Sequence, residues 1–97
     1  MSWQNSKGYN FDAPSIGTFA PAVSGVYAIY RQNFWIYIGE SNNIQRRLLE
    51  HVNETGTCIK RNTPTGFSYE IHPDGQRLTR QNQLILELQP PCNQMLG

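Results

Sequence analysis

Two tyrosines, an arginine and a histidine in this chain of 97 residues carry groups that could act together on a phosphate. Tyr27 and Tyr37 stand in two aromatic and β-branched runs, each close to a glycine, Gly25 and Gly39. Arg47 and His51 are four residues apart, which on a helix sets them one turn from each other. A guanidinium is a planar fork that matches two phosphate oxygens, and this suits Arg47 to a phosphodiester. Phosphodiester hydrolysis spreads charge over the phosphoryl oxygens in its transition state, so its catalysis is largely positioning and electrostatic stabilisation. A phenol, with an ordinary pKa of ~10, is a poor base near neutrality unless a nearby metal or arginine lowers that value. Each residue alone also fits an ordinary place: a sheet aromatic, a surface cation, a helix-edge histidine.

The elements that must position these groups are legible. Gly25 to Tyr30 and Phe34 to Gly39, around a short polar break, read as a β-hairpin. A three-residue loop with Asn33 in the left-handed position sets Tyr27 opposite Tyr37 and divides the faces. Val26, Ala28, Tyr30, Phe34, Ile36 and Ile38 then share one face, and Tyr27, Ile29, Trp35 and Tyr37 the other. Glu40-Ser41-Asn42-Asn43 supplies capping residues for a helix from about Ile44 to Glu54, with Ile44, Leu48 and Val52 as its buried stripe. Gly56 ends it. Phe67 to Ile71 alternates as a third strand, and Pro73-Asp74-Gly75 is turn chemistry. A second helix runs from about Gln76 to Leu88 and stops at Pro90-Pro91. Leu78, Leu84, Ile85 and Leu88 span its apolar arc with Gln81 near the centre, a satisfied core amide or one facing a polar cleft. Residues 1–23 read as an ordered arm pinned by Trp3, Tyr9, Phe11 and Phe19, and residues 24–97 as the domain proper.

Composition narrows the field. The chain has room for one core, and its aromatic content with a net charge of +1 argues against disorder and against a non-specific nucleic-acid coat protein. Its longest apolar stretches break within about ten residues, short of a membrane span, and its first residues show no secretory signal. Cys58 and Cys92 are expected as free thiols of a cytoplasmic protein. Arg46, Arg47, Lys60, Arg61, Arg77 and Arg80 permit a basic patch, but four acids share that stretch.

Gly25-Val26-Tyr27, Tyr37-Ile38-Gly39-Glu40-Ser41 and the run from Asn43 through Arg47 to His51 closely resemble the GIY-YIG nuclease superfamily in residue type, order and spacing. The likeness continues through Arg80-Gln81-Asn82-Gln83-Leu84-Ile85 to Pro90-Pro91-Cys92-Asn93, covering about residues 24–94. It implies an α+β fold, a three-stranded antiparallel sheet flanked by helices, that cleaves DNA with one divalent metal, Mg²⁺ or Mn²⁺. It places Tyr27 beside the attacking water, Tyr37 in the site, Arg47 on the scissile phosphate, His51 as a proton relay and Asn93 as an orienting residue.

One position departs from the family. Its metal-ligand glutamate on the closing helix is Gln81 here, and an amide brings no charge to a hard cation. Glu40 and Glu70 are the candidate substitutes, whereas Glu87 points elsewhere on the helix. The resemblance therefore implies a metal-impaired DNA endonuclease or, alternatively, a non-catalytic nucleic-acid-binding module. A third expectation is a protein-interaction domain built on the aromatic arm. DNA is the expected partner, with no membrane, and sequence preference would come from a protein partner, self-association or DNA shape.

Overall fold

A computed structural model describes residues 3–93. Residues 1–2 and 94–97, the outer ends of the expected arm and domain, lie outside the described residues. The elements run β1 (Tyr9–Asn10), α1 (Ala13–Phe19), β2 (Gly25–Arg31), β3 (Phe34–Ser41), α2 (Ile44–Asn53), α3 (Cys58–Arg61), β4 (Gly66–Ile71) and α4 (Asp74–Leu88), then a 3₁₀ turn at Pro91–Asn93. The sheet is antiparallel, in the order β1-β4-β2-β3. Its three long strands are those expected, and the arm adds the two-residue β1 at one edge.

The arm also forms α1. Asp12 accepts from the Ser15 N–H at 2.8 Å, and a proline opens the first turn, a capped start that brings Ile16 into the core. α2 begins as its sequence requires, with the Asn43 side chain accepting from the Arg46 N–H at 3.0 Å. Ile44 and Leu48 are fully buried on its inner stripe, whereas Val52 is only half-buried.

Both faces of the sheet are covered. Tyr27, Ile29, Ile36 and Phe67 pack with Ile16, Ile44, Leu48 and Ile59 from α1, α2 and α3. Val26, Ala28 and Ile38 pack with Leu84, Ile85 and Leu88 of α4 and with Trp3 of the arm. The expected arc of α4 is narrower than its pattern suggests. Leu84 is buried, but Leu78 is 56% exposed, so its register points it outward.

The hairpin register differs from the three-residue loop. Arg31 pairs with Phe34 across a two-residue loop, and Gln32, not Asn33, takes the positive φ of 55°. The Gln32 N–H donates to Thr65 Oγ1 at 3.0 Å, a tether from the segment leading into β4 that local turn preferences do not register. A bulge then intervenes: Tyr30 opposes Trp35, but Ile29 opposes Tyr37, leaving Ile36 extra. Trp35 therefore joins the α4 face, and Ile36 turns with Tyr37 toward α2. Tyr27 comes to face Gly39 rather than Tyr37, although both tyrosines remain on one face.

Cys58 and Cys92 are disulfide-bonded, not free, and the bridge ties α3 to the 3₁₀ turn across 34 residues of chain. Disulfides are rare where thiols are kept reduced, so the pair gives no support to a reducing compartment. A bridge closing a loop of this length stabilises by about 2–4 kcal/mol, chiefly by restricting the unfolded chain. Urea titrations with and without dithiothreitol should differ by that amount; coincident curves would mean the thiols are unpaired in solution.

Candidate active site

Tyr27 and Tyr37 enter the site from adjacent strands with ring centroids 6.1 Å apart. Gly39 makes room for this: a Cβ there would fall on the Tyr27 hydroxyl and ring. Across the strand pair α2 presents His51, 3% exposed, whose Nε2 lies 2.8 Å from the Tyr27 hydroxyl. The imidazole also packs edge-on against Tyr37, with centroids 5.5 Å apart. One turn earlier on α2, Arg47 stands at the solvent edge with its side chain 35% exposed. Its Nη1 is 2.9 Å from Glu50 Oε1 and 3.5 Å from Glu54 Oε2. Glu54 closes the cluster with Oε1 3.2 Å from His51 Nδ1.

The protonation states follow from burial and charge. Burial pushes the Tyr27 phenol far above its ordinary value; Tyr37, Glu40 and Glu54 push the same way, and Arg47 opposes them. Tyr37 is also raised by burial against the pull of Arg47. Burial first and Arg47 second lower the pKa of His51, against Glu54 and Glu50, so the imidazole is neutral at pH 7. The unperturbed protein thus holds a neutral phenol against a neutral imidazole, with a guanidinium at the mouth.

Asn93 acts from the far side of β3. Its side chain accepts from the Ile38 N–H at 2.7 Å and donates to the Ile38 C=O at 2.8 Å. It thus pins the edge strand between Tyr37 and Gly39, with its own side chain on backbone groups. The 3₁₀ turn that carries it is held by the Cys58–Cys92 bridge.

Gln81 lies on α4 one turn after Arg77, whose guanidinium pairs with Glu40. It is half-buried, and its amide donates to Asn82 Oδ1 at 3.2 Å. The candidate acidic substitutes are engaged. Glu40 lies near enough to raise both tyrosines, but its carboxylate takes Arg77 Nε at 2.6 Å. Glu70 is buried and accepts from Arg80 through Nε at 2.8 Å and Nη2 at 3.1 Å, from His72 at 2.9 Å and from the Gln4 N–H at 2.8 Å. Among the described residues there is no cluster of three or more His, Cys, Asp or Glu able to hold a metal. An amide bonded to its neighbour and a carboxylate bonded to arginine do not suit a hard divalent cation. The mixed-sign stretch from Arg46 to Arg80 likewise forms ion pairs, with Arg46 on Glu50, Arg77 on Glu40 and Asp74, and Arg80 on Glu70.

The family model of the GIY-YIG catalytic domain matches residues 23–90, taking in both tyrosines, the arginine and the histidine. The chain belongs to the GIY-YIG family. Over 98 aligned residues it is 29% identical to the UvrABC system protein C of Dichelobacter nodosus, covering 95% of this chain but only 16% of that protein. Among solved structures it resembles two point-mutant forms of the GIY-YIG N-terminal endonuclease domain of UvrC from Thermotoga maritima, each bound to its catalytic divalent cation. One has a TM-score of 0.67 at 21% identity, over 77% of this chain and 90% of the other. The second has 0.66 at 20%, over 77% and 91%. The α+β GIY-YIG architecture is therefore shared with that domain. The described helices include none long and apolar enough to cross a membrane.

Two buried ionisable groups make the stability of this GIY-YIG domain depend on pH. Burial alone would raise Glu70, but the hydrogen bonds from Arg80, His72 and the Gln4 backbone lower its pKa. Its contribution is complete above the ordinary carboxylate pKa and is lost as pH falls below that value. His51 is depressed, so its contribution is complete above the unfolded value of about 6.5 and fades as pH drops through it. Melting temperature should therefore start to fall near pH 6.5, before carboxylates titrate. His51→Gln should flatten that first segment; an unchanged profile in the variant would remove His51 as its source.

Proposed function

We propose that this chain is an endonuclease domain of the GIY-YIG type, acting on DNA phosphodiesters through Tyr27, Tyr37, Arg47 and His51, and impaired by Gln81. The observation that carries the reading is the Tyr27–His51 hydrogen bond of 2.8 Å beside an arginine at the solvent edge. Arg47 binds the phosphate oxygens and offsets the charge that develops on them. Water attacks phosphorus while Tyr27 takes its proton and passes its own to His51 Nε2. Tyr37 walls the same space, and Asn93 keeps β3 in register beneath it.

Gln81 is the reason for impairment. A glutamate there would supply the charge that a divalent cation needs and that Glu40, held by Arg77, does not. In these four residues and Asn93, nothing offsets the charge on the departing sugar oxygen. The same observation favours a second reading, a nucleic-acid-binding module that keeps Arg47 and the cleft but does not cut.

Strand cleavage in Mg²⁺ or Mn²⁺ by this chain and by Gln81→Glu separates the two. Cleavage that appears or rises strongly in the variant supports the impaired nuclease. No cleavage by either, with DNA binding that weakens steeply as salt rises, supports the module. No binding at low salt contradicts both.

A further inference from the structure

We propose that Glu54 is the positioning residue of this centre: it decides which nitrogen of His51 carries hydrogen and so presents Nε2 to Tyr27 as a proton acceptor. The inference deepens the phosphodiesterase reading above and rests on it for its catalytic half. Glu54 caps the C-terminus of α2, three residues after His51, where side chains of neighbouring turns meet. Its Oε1 lies 3.2 Å from His51 Nδ1, and an ionised carboxylate only accepts hydrogen bonds. Nδ1 must therefore be the protonated nitrogen of the neutral ring. Nε2 is left with a lone pair, 2.8 Å from a hydroxyl that can donate to it. The opposite tautomer would satisfy Tyr27, whose oxygen can also accept, but would face the Nδ1 lone pair with a carboxylate oxygen. The phenol tolerates either arrangement; the carboxylate does not. Among the described residues, no other group bonded to the ring makes that choice.

The same carboxylate also reaches Arg47 Nη1, at 3.5 Å through Oε2. Glu54 is therefore shared between the group that would hold phosphate and the group that would take the proton. Among the described residues, Tyr27 from β2 and Tyr37 from β3 face His51, and Arg47, Glu50 and Glu54 on its own helix and cap act on its charge. Of these, Arg47 opposes protonation of the ring, and Glu54 and Glu50 favour it. A phosphate anion that draws Arg47 away leaves the charge of Glu54 to His51 alone. The imidazole becomes a better base as substrate arrives.

The test uses the ¹⁵N resonances of the His51 imidazole in the whole chain above pH 7, and cleavage kinetics in whichever of the natural chain or Gln81→Glu cuts DNA. The natural chain should show a protonated Nδ1 and a bare Nε2. Glu54→Gln, whose amide can donate as well as accept, should shift the ring toward the other tautomer, and Glu54→Asp should restore the first at least in part. In the cutting background Glu54→Gln should lower kcat about 10²-fold with KM within about twofold, and move the acidic limb of the pH–rate profile to lower pH. A bare Nδ1 in the natural chain, or a Glu54→Gln variant with unchanged tautomer and profile, overturns the proposal. If no background cleaves, the nuclease reading fails by itself and the tautomer still decides the role of Glu54.

Discussion

Replacing Arg47 with alanine should lower single-turnover cleavage about 10³-fold in whichever background cuts, and weaken DNA binding as well. The size follows from removing a preorganised charge from a developing phosphoryl dianion, an effect of about 10²–10³ for one donor and larger for an arginine on a transferring phosphoryl group. The fold should barely notice. The Arg47 pairs with Glu50 and Glu54 lie at a side chain about a third exposed, and such surface pairs contribute about 0–1 kcal/mol. Lysine should recover only part of the loss, because a point charge does not reproduce the two-pronged fork. An Arg47→Ala variant that cuts as fast as its parent would place the phosphate elsewhere.

The second large effect belongs to stability. Asn93→Ala should cost about 2–6 kcal/mol, because it strips partners from two backbone groups of Ile38, each worth about 1–3 kcal/mol when left unsatisfied and buried. Ile38 is fully buried, and Asn93 itself is 5% exposed, so water cannot readily substitute. That loss is a large part of the whole stability of a small domain. Asn93→Asp is the sharper version. A carboxylate still accepts from the Ile38 N–H but sets a second oxygen against the Ile38 carbonyl, so the variant should be no more stable than the alanine one. Urea denaturation reads both; an aspartate variant as stable as the natural chain would mean that the two bonds are not made. Cleavage should fall too, since Tyr37 and Gly39 flank the pinned residue on β3.

These effects divide along the line between local and distant determinants. The site's residue types were legible because each is set by local pattern: strand alternation for the tyrosines, helix spacing for Arg47 and His51. Their shared face survived even though the register did not. The bulge at Ile36 and the tether from Thr65 to Gln32 arise from tertiary contact, and neither leaves a mark in the hairpin's own sequence. The Cys58–Cys92 pairing was hidden for the same reason, since 34 residues separate partners that meet only once the chain has folded. The start of α1 did carry a signal, Asp12 with a proline in the first turn, but seven residues with a glycine among them are too few for periodicity to speak. Leu78 lies outside the expected arc because α4 presents only a narrow stripe to the sheet, and apolar residues can also sit in solvent. Glu54 carries a signal of its own in the sequence, its spacing of three from His51 at the helix cap.

The centre is best tested by a crystal structure of this chain, with Gln81 retained to keep the substrate intact, bound to a short DNA duplex. A backbone phosphate should lie with its oxygens about 2.7–2.9 Å from the Arg47 guanidinium, released from Glu54, with Tyr27 and Tyr37 bordering the phosphorus and His51 still on the Tyr27 hydroxyl. DNA seated on another surface, with Arg47 still paired to Glu50 and Glu54, would contradict the account.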